Sequence, residues 1–258
     1  MRVTAIGAIV SVAWVALYRF VDPPFTSLMV LRALARRDEG RPTAIDVRPV
    51  PLDRVSPAMV RAVVAGEDAG FLRHHGIDLA AARRAREWNE RQGGRRLRGA
   101  STITMQCARN VFLWPQRTWL RKGLEAWFTV LVEAIWGKRR TLEVYLNVVE
   151  WGDSIYGVEA AARRWFGVPA ARLDAAQSAM LAAMLPLPLR SDPRAPSPRM
   201  SALADRIARG APRVDLSAIG IGAAPARGAP GSGSRRSRPD SRRSTAPSPT
   251  SAVPDRGL

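Results

Sequence analysis

Two adjacent carboxylates open the segment Glu67-Asp68-Ala69-Gly70-Phe71-Leu72-Arg73-His74-His75-Gly76, and the apolar run 59–65 directly precedes them. Removing a charge from water is costly unless a partner or a chemical task compensates for it. Neighbouring carboxylates at the end of an apolar helix therefore indicate a functional site. Glu67 is the first candidate for a residue that takes up or releases a proton.

The chain has 258 residues and a formal net charge of +18. This length suits one domain of about 150 to 200 residues with additional segments at its ends. Arginine carries almost all of the positive charge, since Lys122 and Lys138 are the only lysines. The charge predicts an anionic partner, but composition does not choose between nucleic acid, a phosphate-bearing substrate and acidic lipid headgroups.

The chain has too few cysteines and histidines for a disulfide or for a metal site built from these residues. Cys107 is the only cysteine, which excludes an intramolecular disulfide and a thiolate metal cluster. The two histidines, His74 and His75, are adjacent, so a histidine-rich zinc site is excluded as well. A divalent ion held by carboxylates and phosphates remains open.

An uncharged stretch over residues 3–18 lies between Arg2 and Arg19. As a helix it would be about 24 Å long, slightly less than the roughly 30 Å of bilayer hydrocarbon. No small-residue cleavage site follows it, so we expect an uncleaved single-pass transmembrane helix over residues 1–21 rather than a secretory signal or a buried helix. Positive charges on both sides of the stretch leave its orientation open.

A helical domain is expected over residues 51–209, after a connecting segment at 22–50 that contains a short helix near 27–37. Ser56-Pro57 and Asp78 are typical helix starts. The predicted helices cover about 56–67, 78–92, 102–112, 119–137, 141–151, 158–166 and 174–185. Alternating patterns typical of strands are nearly absent, so the fold class is all-α or nearly so. The composition of residues 210–258 predicts a disordered Pro/Ser/Arg-rich tail.

Three further segments contain candidate site residues or conspicuous patterns. Residues 99–110 place Ser101 and Thr102 at a helix start, where free N–H groups suit an anion, although an ordinary capped helix explains them equally well. Arg121-Lys122-Gly123-Leu124-Glu125 is either a surface ion pair or a cationic edge for phosphate. The segment 138–147 is interpreted as mainly structural.

Taken in order, these segments resemble the monofunctional peptidoglycan glycosyltransferases, relatives of the polymerase domain of bifunctional penicillin-binding proteins. The resemblance covers roughly residues 22–189. It rests on the patterns Glu-Asp-x-x-Phe-x-x-His-x-Gly, Gly-x-Ser-Thr-Ile-Thr-x-Gln-x-Ala-x-Asn, Arg-Lys-x-x-Glu and Leu-Glu-x-Tyr-Leu-Asn. Several motifs in a fixed order are far more specific than any single one. The resemblance implies a lysozyme-like helical fold at the outer face of the inner membrane.

The resemblance also implies a reaction and the residues that carry it. The reaction is polymerisation of lipid II into β-1,4 glycan strands, with inversion and release of undecaprenyl pyrophosphate. Glu67 matches the catalytic base and Glu125 a second essential carboxylate. The positions expected to bind or support the substrate are Asp68, Phe71, Ser101, Thr102, Gln106, Arg109, Asn110, Arg121 and Lys122. A Mg²⁺ or Mn²⁺ ion near Glu125, bound with the donor pyrophosphate, is left open, and no organic cofactor is expected.

Three positions depart from the family pattern. Met105 stands where a glutamine is usual, which puts only a local contact in doubt. Arg109 stands where lysine is common and keeps the charge while adding a bidentate fork for phosphate. Gln177 replaces a frequent glutamate, a change expected to be structural.

The expected partners are lipid II, the lipid-linked nascent glycan, inner-membrane lipids and proteins of cell division or elongation, but no nucleic acid. The expected location is the inner membrane, with the catalytic domain facing the periplasm. No Ser-x-x-Lys pattern occurs, so transpeptidation is not expected. Two alternatives stay open: a lysozyme-like glycan-cleaving enzyme, and a membrane-tethered scaffold that binds an anionic ligand.

Overall fold

A computed structural model describes residues 2–93, 99–116 and 118–221, and this part of the chain is mainly helical. Its α-helices are α1 (Arg2–Tyr18), α2 (Ser27–Asp38), α3 (Pro57–Glu67), α4 (Leu79–Arg91), α5 (Ile103–Phe112), α6 (Trp119–Val148), α7 (Val158–Phe166), α8 (Ala175–Met184) and α9 (Pro198–Gly210). Short 3-10 turns lie at Leu52–Arg54, Ala170–Arg172, Pro188–Arg190, Ala211–Arg213 and Ser217–Ile219. The predicted short helix near residues 27–37 is α2. Most of the predicted disordered tail, from residue 222 onward, lies outside the described residues.

Side chains cap the helices at positions that the sequence indicates. Ser56 caps α3, whose first residue is Pro57. Asp78 accepts a hydrogen bond from the Ala81 N–H at 2.7 Å at the start of α4. Such caps satisfy N–H groups that have no partner inside the helix. They therefore fix where the helices around the candidate site begin.

The core is built around the packing of α3 against α8 and α9 and of α5 against α6. Met59 and Val63 of α3, together with Leu142 and Tyr145 of α6, are fully buried. Full burial of an aliphatic or aromatic side chain of this size contributes about 1.5–3 kcal/mol. Cys107 of α5 is also fully buried, and this burial raises the pKa of its thiol. The end of α3, which carries Glu67, is thus fixed by packing.

Two helical segments of α6 meet at Gly137, where the backbone is not helical (φ 68°, ψ 179°). Glycine adopts such a conformation far more readily than any other residue. The predicted break between helices 119–137 and 141–151 agrees with this interruption. The predicted end at residue 151 is wrong, because Glu150–Gly152 forms a strand.

A small three-stranded sheet is the main departure from the all-helical prediction. Its strands are β1 (Asp46–Val47), β2 (Glu150–Gly152) and β3 (Ile155–Tyr156), in the order β1-β3-β2. β1 runs parallel to β3, and β2 runs antiparallel to it. Strands this short show no alternating pattern in the sequence. The sheet joins the connecting segment before α3 to the chain after α6.

The helix α9 was not predicted from the sequence, although Ser197-Pro198 repeats the start of α3. Ser197 accepts a hydrogen bond from the Met200 N–H at 3.3 Å. Beyond α9, Leu216 and Ile219 are buried. The folded part of the chain therefore continues past the domain end expected at residue 209.

The first helix, α1, has 17 residues and packs on α6. Trp127 donates its indole N–H to Ser11 Oγ at 3.0 Å, and Trp136 donates to the Val15 carbonyl oxygen at 2.7 Å. At about 1.5 Å per residue α1 is shorter than the roughly 30 Å of bilayer hydrocarbon. Among the described residues, no helix has both the length and the apolar character needed to cross a membrane. The transmembrane helix expected over residues 1–21 is therefore not found in this part of the chain.

Candidate active site

Glu67 ends α3 and faces a side chain of α5. Gln106 Nε2 donates a hydrogen bond to Glu67 Oε2 at 2.9 Å. The Tyr145 hydroxyl, on α6, donates to Gln106 Oε1 at 3.1 Å. Glu67 keeps intermediate exposure, so α3, α5 and α6 meet at a carboxylate that a ligand is able to reach.

The surroundings raise the pKa of Glu67 above the usual value of a glutamate. Desolvation by burial is the largest cause, and the negative charge of Asp68 also raises the pKa. The hydrogen bond from Gln106 and the positive charge of Arg109 lower it, without offsetting the burial. A carboxylate with a raised pKa is a stronger base than an ordinary glutamate, as general-base chemistry requires.

Asp68 and Thr102 tie the loop after α3 to the start of α5. Asp68 Oδ2 accepts a hydrogen bond from the Ile103 N–H at 3.0 Å and lies 2.9 Å from His74 Nε2. The Thr102 hydroxyl donates to the Gly76 carbonyl oxygen at 2.6 Å. Asp68 and Thr102 are both buried. Both residues were expected to bind or support the substrate; in the structure their polar atoms bond to the protein itself and hold the loop in place.

Phe71, expected to bind or support the substrate, is fully buried in the core. Lys138 Nζ lies 4.7 Å from the centre of its ring. The same Lys138 nitrogen lies 2.7 Å from Glu133 Oε1, and the Thr104 hydroxyl donates to Glu133 Oε2 at 3.1 Å. This cluster fastens the loop that follows Glu67 to α5 and α6.

Arg109, Ser101 and Asn110 are half-buried residues of the second motif. Arg109 acts on Glu67 through its charge. Within the described ranges, none of these three side chains makes a hydrogen bond or an ion pair. All three therefore keep polar groups for a ligand. Met105, the departure from the usual glutamine, is buried.

A second cluster lies near the start of α6. Glu125 is 1% exposed; its Oε2 lies 2.5 Å from Arg121 Nη1, and its Oε1 lies 2.5 Å from Lys122 Nζ. The pair formed by Arg121 and Glu125 is thus buried, unlike the surface ion pair that the spacing also allowed. Arg121 Nε is buried without a hydrogen-bond partner among the described residues. Two cations around one carboxylate leave a net positive charge, which suits a phosphate.

The residues do not fit a metal ion held by the protein alone. In the part of the chain that the structure describes, no group of three histidine, cysteine or acidic side chains is placed to hold one. Both oxygens of Glu125 already bond to cationic side chains. The positive charge at this cluster comes from Arg121 and Lys122.

Tyr145 belongs to the site, although the sequence indicated only a structural role for its segment. It lies 39 residues after Gln106, and its hydroxyl bonds to the Gln106 amide. Neither helical periodicity nor a spacing rule links two residues so far apart in sequence. The fixed order of the motifs was the one signal that placed Tyr145 near the other site residues.

Glu67, with its raised pKa, and the cationic cluster around Glu125 lie on one helical domain, and their chemistry suits an enzyme that transfers a group from a phosphate-bearing donor. The family model described as Transglycosylase matches residues 38–211. This range contains Glu67, Gln106, Glu125 and Tyr145. The chain belongs to the transglycosylase family, which confirms the family expected from the motifs.

Curated relatives carry the name biosynthetic peptidoglycan transglycosylase. The protein of Caulobacter vibrioides is 57% identical over 176 residues, which cover 68% of this chain and 73% of the relative. The protein of Rhodospirillum centenum is 56% identical over 190 residues, covering 74% and 79%. The protein of Pseudomonas aeruginosa is 48% identical over 188 residues, covering 73% and 80%.

Proposed function

We propose that this protein polymerises peptidoglycan glycan strands. It transfers the lipid-linked growing chain to the 4-hydroxyl of lipid II, with inversion and release of undecaprenyl pyrophosphate, and it has no transpeptidase activity. The observation that carries the proposal is Glu67, a partly buried carboxylate with a raised pKa, hydrogen-bonded to Gln106. The names of the relatives support the substrate class.

Glu67 acts as the general base. In its deprotonated form it accepts the proton of the acceptor 4-hydroxyl while that oxygen attacks the anomeric carbon of the donor. The new carbon–oxygen bond forms as the bond to the pyrophosphate breaks. A single displacement of this kind inverts the anomeric centre, so no glycosyl-enzyme intermediate forms.

Arg121, Lys122 and Arg109 stabilise the departing pyrophosphate. Negative charge builds up on its bridging oxygen as the donor bond breaks, and cations already in position lower the free energy of that state. Glu125 holds Arg121 and Lys122 through its two oxygens. Loss of Glu125 would therefore release both cations from their positions. Ser101 and Asn110 are proposed to bind substrate through their unbonded polar groups.

The reaction is proposed to take place at the periplasmic face of the inner membrane, because both substrates carry a lipid. Large apolar side chains are exposed on α1 and α6, among them Ile9, Trp119 and Leu120. The net charge of +18 favours anionic headgroups. The proposed partners are lipid II, the nascent glycan and the lipid surface.

The test is a polymerisation assay with purified lipid II, comparing the native chain with Glu67→Gln. We expect Glu67→Gln to fold and to bind lipid II, but to polymerise at least about 100-fold more slowly, because the amide accepts no proton. Glu87→Gln is the matched control, since Glu87 is an exposed carboxylate on α4 that pairs with Arg91.

Near-native polymerisation by Glu67→Gln would remove Glu67 from the role of base. Cleavage of preformed glycan by the native chain, with no polymer formed, would contradict the proposed function and favour a lysozyme-like enzyme. Tight binding of anionic ligands with neither activity would favour a scaffold.

A further inference from the structure

Tyr145 stands at the start of a hydrogen-bond chain that ends on Glu67. Its side chain is fully buried, and the one partner of its hydroxyl in the described part of the protein is Gln106 Oε1 at 3.1 Å. The other end of the same amide, Gln106 Nε2, donates to Glu67 Oε2 at 2.9 Å. The chain therefore runs from a hydroxyl through an amide to the proposed base.

The orientation of the Gln106 amide determines which charge state of Glu67 is stabilised. A half-turn of the amide exchanges its NH₂ group and its oxygen. An NH₂ group facing Glu67 stabilises the ionised carboxylate, whereas an oxygen in that place accepts a hydrogen bond from the protonated carboxyl group and favours the proton. The same two residues thus support opposite charge states in the two orientations.

Tyr145 discriminates between these orientations. A buried hydroxyl that fails to donate its proton loses a hydrogen bond that water would otherwise provide. With the amide reversed, the tyrosine oxygen accepts from the NH₂ group, but its O–H has no acceptor among the described residues. The orientation with the oxygen toward Tyr145 and the NH₂ toward Glu67 gives the Tyr145 hydroxyl, the Gln106 oxygen and Glu67 Oε2 a partner each.

We propose that Tyr145 is a positioning residue, which fixes the Gln106 amide with its NH₂ toward Glu67 and so keeps Glu67 deprotonated and ready to accept a proton. Tyr145 acts through Gln106 and has no contact with the reacting atoms. The inference rests on the proposed function, because it concerns the charge state of the residue proposed there as the base.

Other groups around Glu67 do not replace this contact. Burial and the charge of Asp68 raise the pKa of Glu67, and Arg109 lowers it through its charge. Burial is also the largest cause that raises the pKa of Tyr145 well above that of an ordinary tyrosine, with the charge of Glu67 adding to it. Tyr145 therefore stays neutral and able to donate over the working pH range. Removing its hydroxyl removes a hydrogen bond and leaves the net charge unchanged.

The test is the pH dependence of kcat/KM for lipid II polymerisation by the full chain. In Tyr145→Phe the acid limb should move up by roughly 0.5–1 pH unit, a loss of about three- to tenfold at acid pH, while activity on the alkaline side falls less. Tyr156→Phe is the matched control. Tyr156 is also fully buried, and its hydroxyl bonds to Glu150 at 3.2 Å. The acid limb of Tyr156→Phe should coincide with that of the native chain.

A second variant tests whether the acid limb moves in the opposite direction when the hydroxyl donates more strongly. It keeps the tyrosine ring and its hydroxyl in place. Site-specific replacement of Tyr145 by a ring-fluorinated tyrosine makes the hydroxyl a stronger donor. The acid limb should then move to lower pH. Circular dichroism first establishes whether Tyr145→Phe folds. If it does not fold, the fluorinated protein alone tests the positioning role of Tyr145.

The outcomes separate the two proposals. Polymer from the native chain together with coinciding acid limbs for native, Tyr145→Phe and fluorinated proteins overturns the role of Tyr145 and leaves the proposed function standing. Equal shifts in Tyr145→Phe and Tyr156→Phe overturn it too, because a general effect of losing a buried hydroxyl then explains the data. Absence of polymer from the native chain contradicts the proposed function, and the role of Tyr145 falls with it.

Discussion

Glu67 opposes folding when it is ionised. Burial raises the pKa of Glu67 in the folded protein, so the folded state binds this proton more tightly than the unfolded state does. The stability that this proton confers is fully present below the pKa of an unfolded glutamate, and it is lost as the pH rises through the raised folded value. At neutral pH the residue serves catalysis at the expense of stability.

We therefore expect Glu67→Gln to raise the Tm at neutral pH by about 2 °C and to leave it unchanged near pH 4. The glutamine oxygen is able to accept the same hydrogen bond from Gln106 that Glu67 Oε2 accepts now. Thermal unfolding at the two pH values measures the effect, with Glu87→Gln as the exposed control. A lower Tm for Glu67→Gln at neutral pH would contradict the assignment of Glu67 as a destabilising charge.

Gln177 shows how a departure from a motif is explained by local structure. Its side chain accepts a hydrogen bond from the Asp174 N–H at 3.1 Å, while Asp174 accepts from the Gln177 N–H at 2.8 Å. This reciprocal pair caps the start of α8. Glutamine serves there as well as glutamate, which accounts for the change at this position.

At the scale of elements, the sequence predicts helices where caps and stops are local. Ser56-Pro57 starts α3, and Gly167 ends α7 in a left-handed conformation, as glycine does at many helix ends. The strands and α9 were missed for different reasons. The strands are too short to show a period, and the Pro/Arg-rich surroundings of α9 mask its apolar face.

The motifs name most of the candidate site residues, but they indicate neither that Tyr145 belongs with them nor which residues contact each other. The motifs name Glu67, Gln106 and Glu125. Burial, which gives Phe71 a packing role and brings Tyr145 to Gln106, depends on how α3, α5 and α6 pack together. Packing between segments distant in sequence has no local signature, so no reading of single motifs gives these contacts.

Gly157 precedes α7, and both its backbone conformation and the lack of space around it require glycine at this position. Its φ is +82°, and a Cβ atom there would lie 2.8 Å from the Asn147 carbonyl oxygen near the end of α6. We expect Gly157→Ala to lower the free energy of unfolding by about 2–4 kcal/mol, because backbone strain and the clash add. Urea denaturation followed by circular dichroism measures the loss.

Gly167 provides the matched control for this substitution. It has a similar φ of +70°, but a Cβ atom there would meet nothing within 4 Å. Gly167→Ala should therefore cost only about 1–2 kcal/mol, the contribution of the backbone. Equal losses in the two variants would show that the approach to Asn147 is unimportant.

At the scale of the whole molecule, the charge of +18 is the dominant electrostatic feature. A chain this basic is attracted to an anionic surface, and the attraction weakens as salt screens it. We expect the full chain to bind vesicles that contain anionic lipid more tightly than zwitterionic vesicles, with the difference shrinking as salt is added. Vesicle sedimentation at low and high salt measures the difference in binding between the two kinds of vesicle and how salt changes it. Equal binding to the two kinds of vesicle would contradict a role for the charge.

The single buried thiol of Cys107 provides a way to time the opening of the domain. Thiol reagents attack the thiolate, and at Cys107 both burial and the raised pKa suppress that form in the folded state. Modification therefore follows only when α5 separates from the core. Because the sequence has one cysteine, the rate at which a thiol reagent labels the unaltered protein reports how often α5 separates from the core. No engineered probe is needed. Ligands that bind and stabilise the folded site should lower the rate of Cys107 labelling.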